Sequence, residues 1–319
     1  MSQSPPDSNS PAFPDGVSCS RRTGGEDLVQ QLGKSHVRWT LVALLALCGV
    51  YSPVILKWFR IAMSADLHSH VLLIPAVSAY LLIVDRDRLT WPSKRSPVIG
   101  GCLLAISLTI CGFFMVSPPA WSTVDLVAAK TATFLGSAWG IGFLILGSAW
   151  MRSAVFPAVF LLFMIPLPDG IVIGLERFLM VASAHVSEFA FSIGGIPVHR
   201  TGQVLEIPGA VLEVAEECSG IRSTWVLLIT SILAAYLFLP SVPRRIALVL
   251  AVIPLGICRN AFRIYVIGWM CTTYGAEMID HWVHRKGGPM FFGISLLPLF
   301  LLAWFLRNFR AAGKATSDR

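Results

Sequence analysis

Repeated apolar runs, each bounded by a short polar connection, occupy the sequence from about residue 38 to residue 306. A bilayer core of roughly 30 Å leaves backbone N–H and C=O groups without water, so a helical crossing needs about 20 residues at about 1.5 Å each. Runs that reach or approach this length lie at about 38–56, 70–84, 98–116, 128–149, 153–167, 222–239, 246–270 and 290–306. The predicted class is therefore all-alpha, a polytopic helical membrane protein with about eight transmembrane helices. A mean hydropathy of +0.69 and a charged fraction of 13% exclude an ordinary soluble domain. A further apolar stretch at about 172–194 carries Glu176, Arg177, His185 and Glu188. It reads as an interfacial or partly inserted helix, with a full crossing as the alternative. Residues 1–37, Pro/Ser-rich at their start, read as a disordered cytoplasmic tail, 38–306 as the transmembrane domain, and 307–319 as a basic cytoplasmic tail.

A net charge of +7 raises the question of nucleic acid. The distribution argues against it, because the cations cluster beside apolar runs, as topology signals do. With the N-terminus inside, the inner segments hold Arg21, Arg22, Lys34 and Arg38, then Arg86, Arg88, Lys94 and Arg95, then Arg152, then Arg244 and Arg245, then Arg307, Arg310, Lys314 and Arg319. This predicts N-in, C-in topology. Lys57, Arg60, His199, Arg200, Arg285 and Lys286 fall on the outer side as exceptions. Seven cysteines without CxxC spacing suggest neither a disulfide framework nor a thiolate metal site.

The same topology brings distant residues to one depth. Cys218 precedes the run at 222–239, Arg259 and Arg263 approach the outer end of the run at 246–270, and His281 and His284 follow it outside. A thiolate can attack a peptide carbonyl, a histidine can move the proton, and an arginine can hold the developing oxyanion. Helix N–H groups and Arg222 favour a Cys218 thiolate, whereas Glu216 and Glu217 oppose it if they face the sulfur. On residues alone, Cys218 is a nucleophile or a packing or redox thiol, with Cys271 as rival or disulfide partner. Asn260 and Arg263 share one helix face and Arg259 projects differently, yet both arginines qualify. His281 and His284 are three apart, but no third ligand and no HExxH spacing supports a metal. Glu216 and Glu217 with Arg222 miss by one residue the EExxxR spacing of proteases that process prenylated tails.

In EVAEECSGIRS, NAFRI and HRKGGPMFF, together with SHVLLIPAVSAYLL, FPAVFLLFMIPLP and GGIPVHRTGQVLEIPG, the sequence resembles the exosortase/archaeosortase family. The resemblance implies a membrane cysteine protease or transpeptidase with Cys218 as nucleophile, Arg263 as oxyanion or substrate stabiliser and His284 as acid/base. The family often has Ala before this cysteine, where Glu217 stands here. Glu217, Arg222, Asn260, Arg259, Glu206 and His70 are the expected substrate-binding or supporting residues. The implied substrates are exported proteins with a C-terminal sorting signal: a PEP-like motif, a transmembrane helix and a basic tail. The implied location is a bacterial inner membrane, with membrane lipid around the chain, a cell-surface acceptor in reach and the site at the extracytoplasmic face. No cofactor is implied. The competing account is a non-catalytic component of envelope export or extracellular-polysaccharide assembly.

Overall fold

The computed structural model describes residues 20–64, 66–90, 94–214, 220–275, 277–278 and 287–315. Its helices are α1 (Ser20–Val50), α2 (Ser52–Ser64), α3 (Ile74–Val84), α4 (Pro97–Val116), α5 (Thr123–Ile145), α6 (Ser148–Ser153), α7 (Val155–Phe160), α8 (Asp169–Ile193), α9 (Ile221–Phe238), α10 (Val242–Leu250), α11 (Val252–Tyr274) and α12 (Gly288–Ala315). Three short strands, β1 (His199–Thr201), β2 (Val204–Ile207) and β3 (Ala210–Glu213), lie between α8 and α9.

Among the described residues, five stretches are long and apolar enough to cross a membrane: α4, α8, α9, the continuous Val242–Tyr274 stretch of α10 and α11, and Gly288–Asn308 of α12. The bent pair Ser35–Val50 and Ser52–Met63 makes a sixth if counted as one span. That is five or six candidate crossings against about eight expected. The runs at 70–84 and 153–167 form only short apolar helices, His70–Val84 and Val155–Met164, and the run at 128–149 lies largely in α5, which is not among the candidate spans. The stretch at 172–194, expected at the interface, forms part of a 25-residue helix that meets the span criterion. Helix α1 begins at Ser20, inside the stretch read as a tail, and α12 runs on past residue 306.

The chain forms two compact units. The first comprises Met1–Ser52, Ala79–Gly112 and Thr133–Val159. Tyr51 is fully buried there, edge-on to Phe134, with its hydroxyl 3.3 Å from both Thr133 and Ser137. Helices α4 and α5 approach closely at Gly100 and Gly140, where a Cβ on Gly100 would stand 2.7 Å from the Gly140 carbonyl. Small residues are what allow such backbone contact in a membrane.

The second unit comprises Pro53–Ser78, Phe113–Ala132 and Phe160–Arg319. One of its cores joins the apolar face of α8 (Met180, Ala184, Phe191) to Leu205 and Ile207 of β2, Leu212 of β3, and Ile264, Ile267 and Cys271 of α11. The strands pair antiparallel in the order β1–β2–β3. Pro208 and Gly209 turn β2 into β3, and Gly209 has the positive φ of 83° that a type II turn needs at its third residue. A second core, around Leu227, Leu239, Leu248 and Leu299, joins α9, α10 and α12. At that end Arg245 donates to the Leu239 carbonyl at 2.9 Å and lies over the Tyr236 ring, and Arg244 donates to the Arg307 carbonyl. Arg245 thus closes the C-terminus of α9, where carbonyls lack intrahelical donors.

Helix directions follow from residue pairs. Ser183, Ser187 and Phe191 of α8 meet Asn260, Ala261 and Tyr265 of α11 in the same order, so α8 and α11 run parallel. Thr224 of α9 meets Gly256, while Gly220 just before it meets Arg259 and Asn260, so α9 runs antiparallel to α11. The start of α9, the middle of α8 and residues 259–260 therefore share one level. Its distance from the basic end is about 27 Å, since α9 has 18 residues rising about 1.5 Å each.

Candidate active site

Gly220 fixes this level. It precedes α9 with φ 72° and ψ 11°, a left-handed conformation that favours glycine. A Cβ there would stand 2.9 Å from Arg259 Nη2 and 3.1 Å from Asn260 Cγ. Backbone conformation and the approach of α11 both require the missing side chain.

The Gly220 carbonyl gathers donors from two helices. Thr224 contributes its backbone N–H at 3.0 Å and its hydroxyl at 2.9 Å. Ser223 adds a hydroxyl at 3.2 Å, and Arg259 Nη2 donates at 3.1 Å. Arg259 Nη2 also reaches Thr224 Oγ1 at 3.1 Å. Four donors share two lone pairs, so this carbonyl is held in position whichever donor is aligned best. Asn260, 2% exposed, donates from Nδ2 to Ser183 Oγ at 3.1 Å, tying α11 to α8.

Arg259 is 7% exposed. Its Nη1 is buried and has no hydrogen-bond acceptor among the described residues. A guanidinium withdrawn from water with one donor unmatched is suited to an oxygen-bearing ligand. Arg263 is partly buried one helical turn later, close enough for the two charges to act on each other. The positive end of the α9 dipole lies at the same level. This arrangement favours anions: a thiolate, an oxyanion or a carboxylate.

The expected site residues divide accordingly. Arg259 and Asn260 meet at Gly220, which follows Cys218 by two positions in the sequence. Cys218, Glu217, Glu216, His281 and His284 lie outside the described residues. Arg222 is exposed in the first turn of α9. Glu206 is exposed on the outward side of β2, opposite His199 and Val211, because Leu205 and Ile207 take the inward positions. His70 accepts the Trp225 indole N–H at Nε2 (3.1 Å) and has Nδ1 2.9 Å from the Leu67 carbonyl. Accepting at Nε2 assigns the ring proton to Nδ1, so both nitrogens of the neutral ring are engaged. Cys271 is a free thiol inside the α8–β–α11 core.

Three participants were not found by sequence reasoning: Ser183, Thr224 and Trp225. Ser and Thr are ordinary in membrane helices and Trp in apolar runs, so no spacing marked them. Arg259, expected as a substrate-binding or supporting residue, makes the contact with Gly220. Among the described residues no group of three or more His, Cys, Asp or Glu is placed to hold a metal.

The family model described as transmembrane exosortase (Exosortase_EpsH) matches residues 58–301. No curated protein and no solved structure matches the chain.

Proposed function

The chain belongs to the transmembrane exosortase family, a group of membrane enzymes regarded as cysteine protease- or transpeptidase-like and associated with exported proteins bearing sorting signals, and from that premise we propose that Cys218 cleaves such a signal by acyl transfer. The Cys218 thiolate attacks the scissile carbonyl carbon and the carbonyl electron pair moves onto oxygen. Arg263, with Arg259 beside it, stabilises that oxyanion. The intermediate collapses, the C–N bond breaks, and His284 gives its proton to the departing amine. The exported protein remains as a thioester on sulfur. Water or a cell-surface nucleophile then attacks this thioester, His284 takes its proton, and the thiolate leaves. The acceptor decides between proteolysis and transpeptidation.

The observation that carries this reading is the fastening of the Gly220 carbonyl by Arg259 and Thr224. It ties the residue just after the EVAEECS stretch to the arginine-bearing face of α11. The orientation proposed with it is N-in and C-in, with Arg244, Arg245 and Arg307 inside and the Gly220 level at the outer boundary. The short helices His70–Val84 and Val155–Met164 are two abbreviated crossings, and α8 is only partly inserted. A substrate helix beside these spans would bring its scissile bond to the same level, with its basic tail inside.

Coexpression with an exported protein carrying such a signal tests the proposal through the intact mass of the product. Wild type should remove the tail and Cys218→Ala, at equal membrane abundance, should not. Equal removal by both would overturn Cys218 as nucleophile. Failure of the wild type across the host's genuine substrates would favour the non-catalytic envelope role.

A further inference from the structure

We propose that the cavity where α4 turns into α5 is a binding site for the phosphate of an anionic phospholipid, held between Lys57 and Lys130. The cavity measures about 130 Å³ and includes Lys57, Lys130 and Thr123 among its walls, with Met115, Trp121 and Val127 as part of its apolar floor. Lys130 is 8% exposed, seven residues into α5. A buried ammonium is costly unless it finds polar partners; its Nζ donates to Met115 Sδ at 3.6 Å, and the residue lines this cavity. Lys57 is exposed on α2 and reaches the same cavity from the other side. It is one of the outer-side cations that the charge pattern left unexplained. Buried Trp58, its neighbour, donates to the Met164 carbonyl at 2.9 Å and secures the helix that presents it. Thr123 opens the 23-residue α5, so the positive end of that helix also faces the cavity. Asp125 Oδ1 accepts the Asp169 backbone N–H at 2.8 Å.

Depth and size select the ligand. Met115 is the penultimate residue of α4, which is long and apolar enough to span, so the cavity lies at a bilayer boundary. Trp121 beside it is the residue type that settles at headgroup level. The volume of about 130 Å³ accommodates a phosphate. The chains would extend from it past the exposed Phe113 of α4. Two lysines and a helix N-terminus favour a headgroup with net negative charge. They disfavour a zwitterionic one, whose ammonium would enter a positive site.

The test uses the full-length protein reconstituted in nanodiscs of mixed phosphatidylglycerol and phosphatidylcholine, then transferred to detergent for native mass spectrometry. Wild type should retain phosphatidylglycerol over phosphatidylcholine. Lys57→Gln and Lys130→Gln should each lower that retention by about fivefold to tenfold, as expected for one lysine near a phosphate. Arg60→Gln, on the same helix but outside the cavity, should not. Equal retention of both lipids by wild type would overturn the proposal, as would unchanged retention in Lys57→Gln or an equal loss in Arg60→Gln. If Lys130→Gln does not fold, the exposed Lys57 decides alone. Millimolar inorganic phosphate should fail to displace the lipid; displacement together with no lipid preference would assign the site to free phosphate instead.

Discussion

Arg259 and Gly220 constrain each other, and their substitutions separate structural from chemical effects. Gly220→Ala forces a Cβ onto a left-handed backbone and against a guanidinium 2.9 Å away. The expected cost is about 1–2 kcal/mol, read as a lowered unfolding temperature in detergent; an unchanged temperature would contradict the described conformation. Arg259→Met should behave differently. Thr224 still satisfies the Gly220 carbonyl, and an apolar side chain in place of a buried charge is often neutral or stabilising. Stability should therefore hold, while kcat/KM on a sorting-signal peptide falls by roughly tenfold or more. Arg259→Lys keeps the charge and loses the planar guanidinium whose Nη2 reaches both Gly220 O and Thr224 Oγ1, so it should recover only part of the activity. Equal activity in wild type and both variants would remove Arg259 from the site.

At the scale of elements, the parallel seam between α8 and α11 and the antiparallel approach of α9 depend on small residues of α11. A Cβ on Gly256 would come 2.8 Å from Thr224 Oγ1, and one on Gly268 would collide with Phe191. Gly268→Leu should therefore push α8 and the sheet away from α11 and cost about 1–3 kcal/mol, measured by denaturation of the purified protein. The substitution lies two turns beyond Asn260, so misalignment of Ser183 should lower activity as well. His70 was read from sequence as a contact of the site; in the fold it braces Trp225, which also stacks edge-on with Phe163. Trp225→Phe keeps the ring and removes the N–H donated to His70, at an expected cost of about 1 kcal/mol. The strands escaped sequence reading because each has only three or four residues, too few for alternation to stand out. Their turn residues, Gly202 and the Pro208–Gly209 pair, were the available signal.

Across the whole molecule the orientation has a direct test. Val211→Cys, exposed on β3, and Val242→Cys, exposed at the start of α10, lie toward opposite ends of α9. In intact spheroplasts a membrane-impermeant maleimide should label Val211→Cys, and Val242→Cys only after permeabilisation. The reverse pattern would invert the proposed topology. The class of fold was legible from the sequence because lipid imposes one rule on every crossing, namely that a backbone without water must form helix. Crossing counts were less legible. An apolar run does not mark where its helix begins and ends: the run at 70–84 forms only a short helix, whereas the stretch at 172–194 lies in one that meets the span criterion.

The sequence by itself determined a helical membrane chain, the basic segments at Arg244, Arg245 and Arg307, and the family signature through EVAEECSGIRS and NAFRI. These follow from local composition and short spacing, which a one-dimensional chain carries in full. Only the tertiary structure decided that Arg259 contacts Gly220, that Ser183 receives Asn260, that Glu206 faces outward, and that Lys130 lines a cavity with Lys57. Each of these pairings depends on the rotation and offset of one helix against another. Packing of small residues such as Gly220, Gly256 and Gly268 sets those quantities, and hydropathy does not encode them.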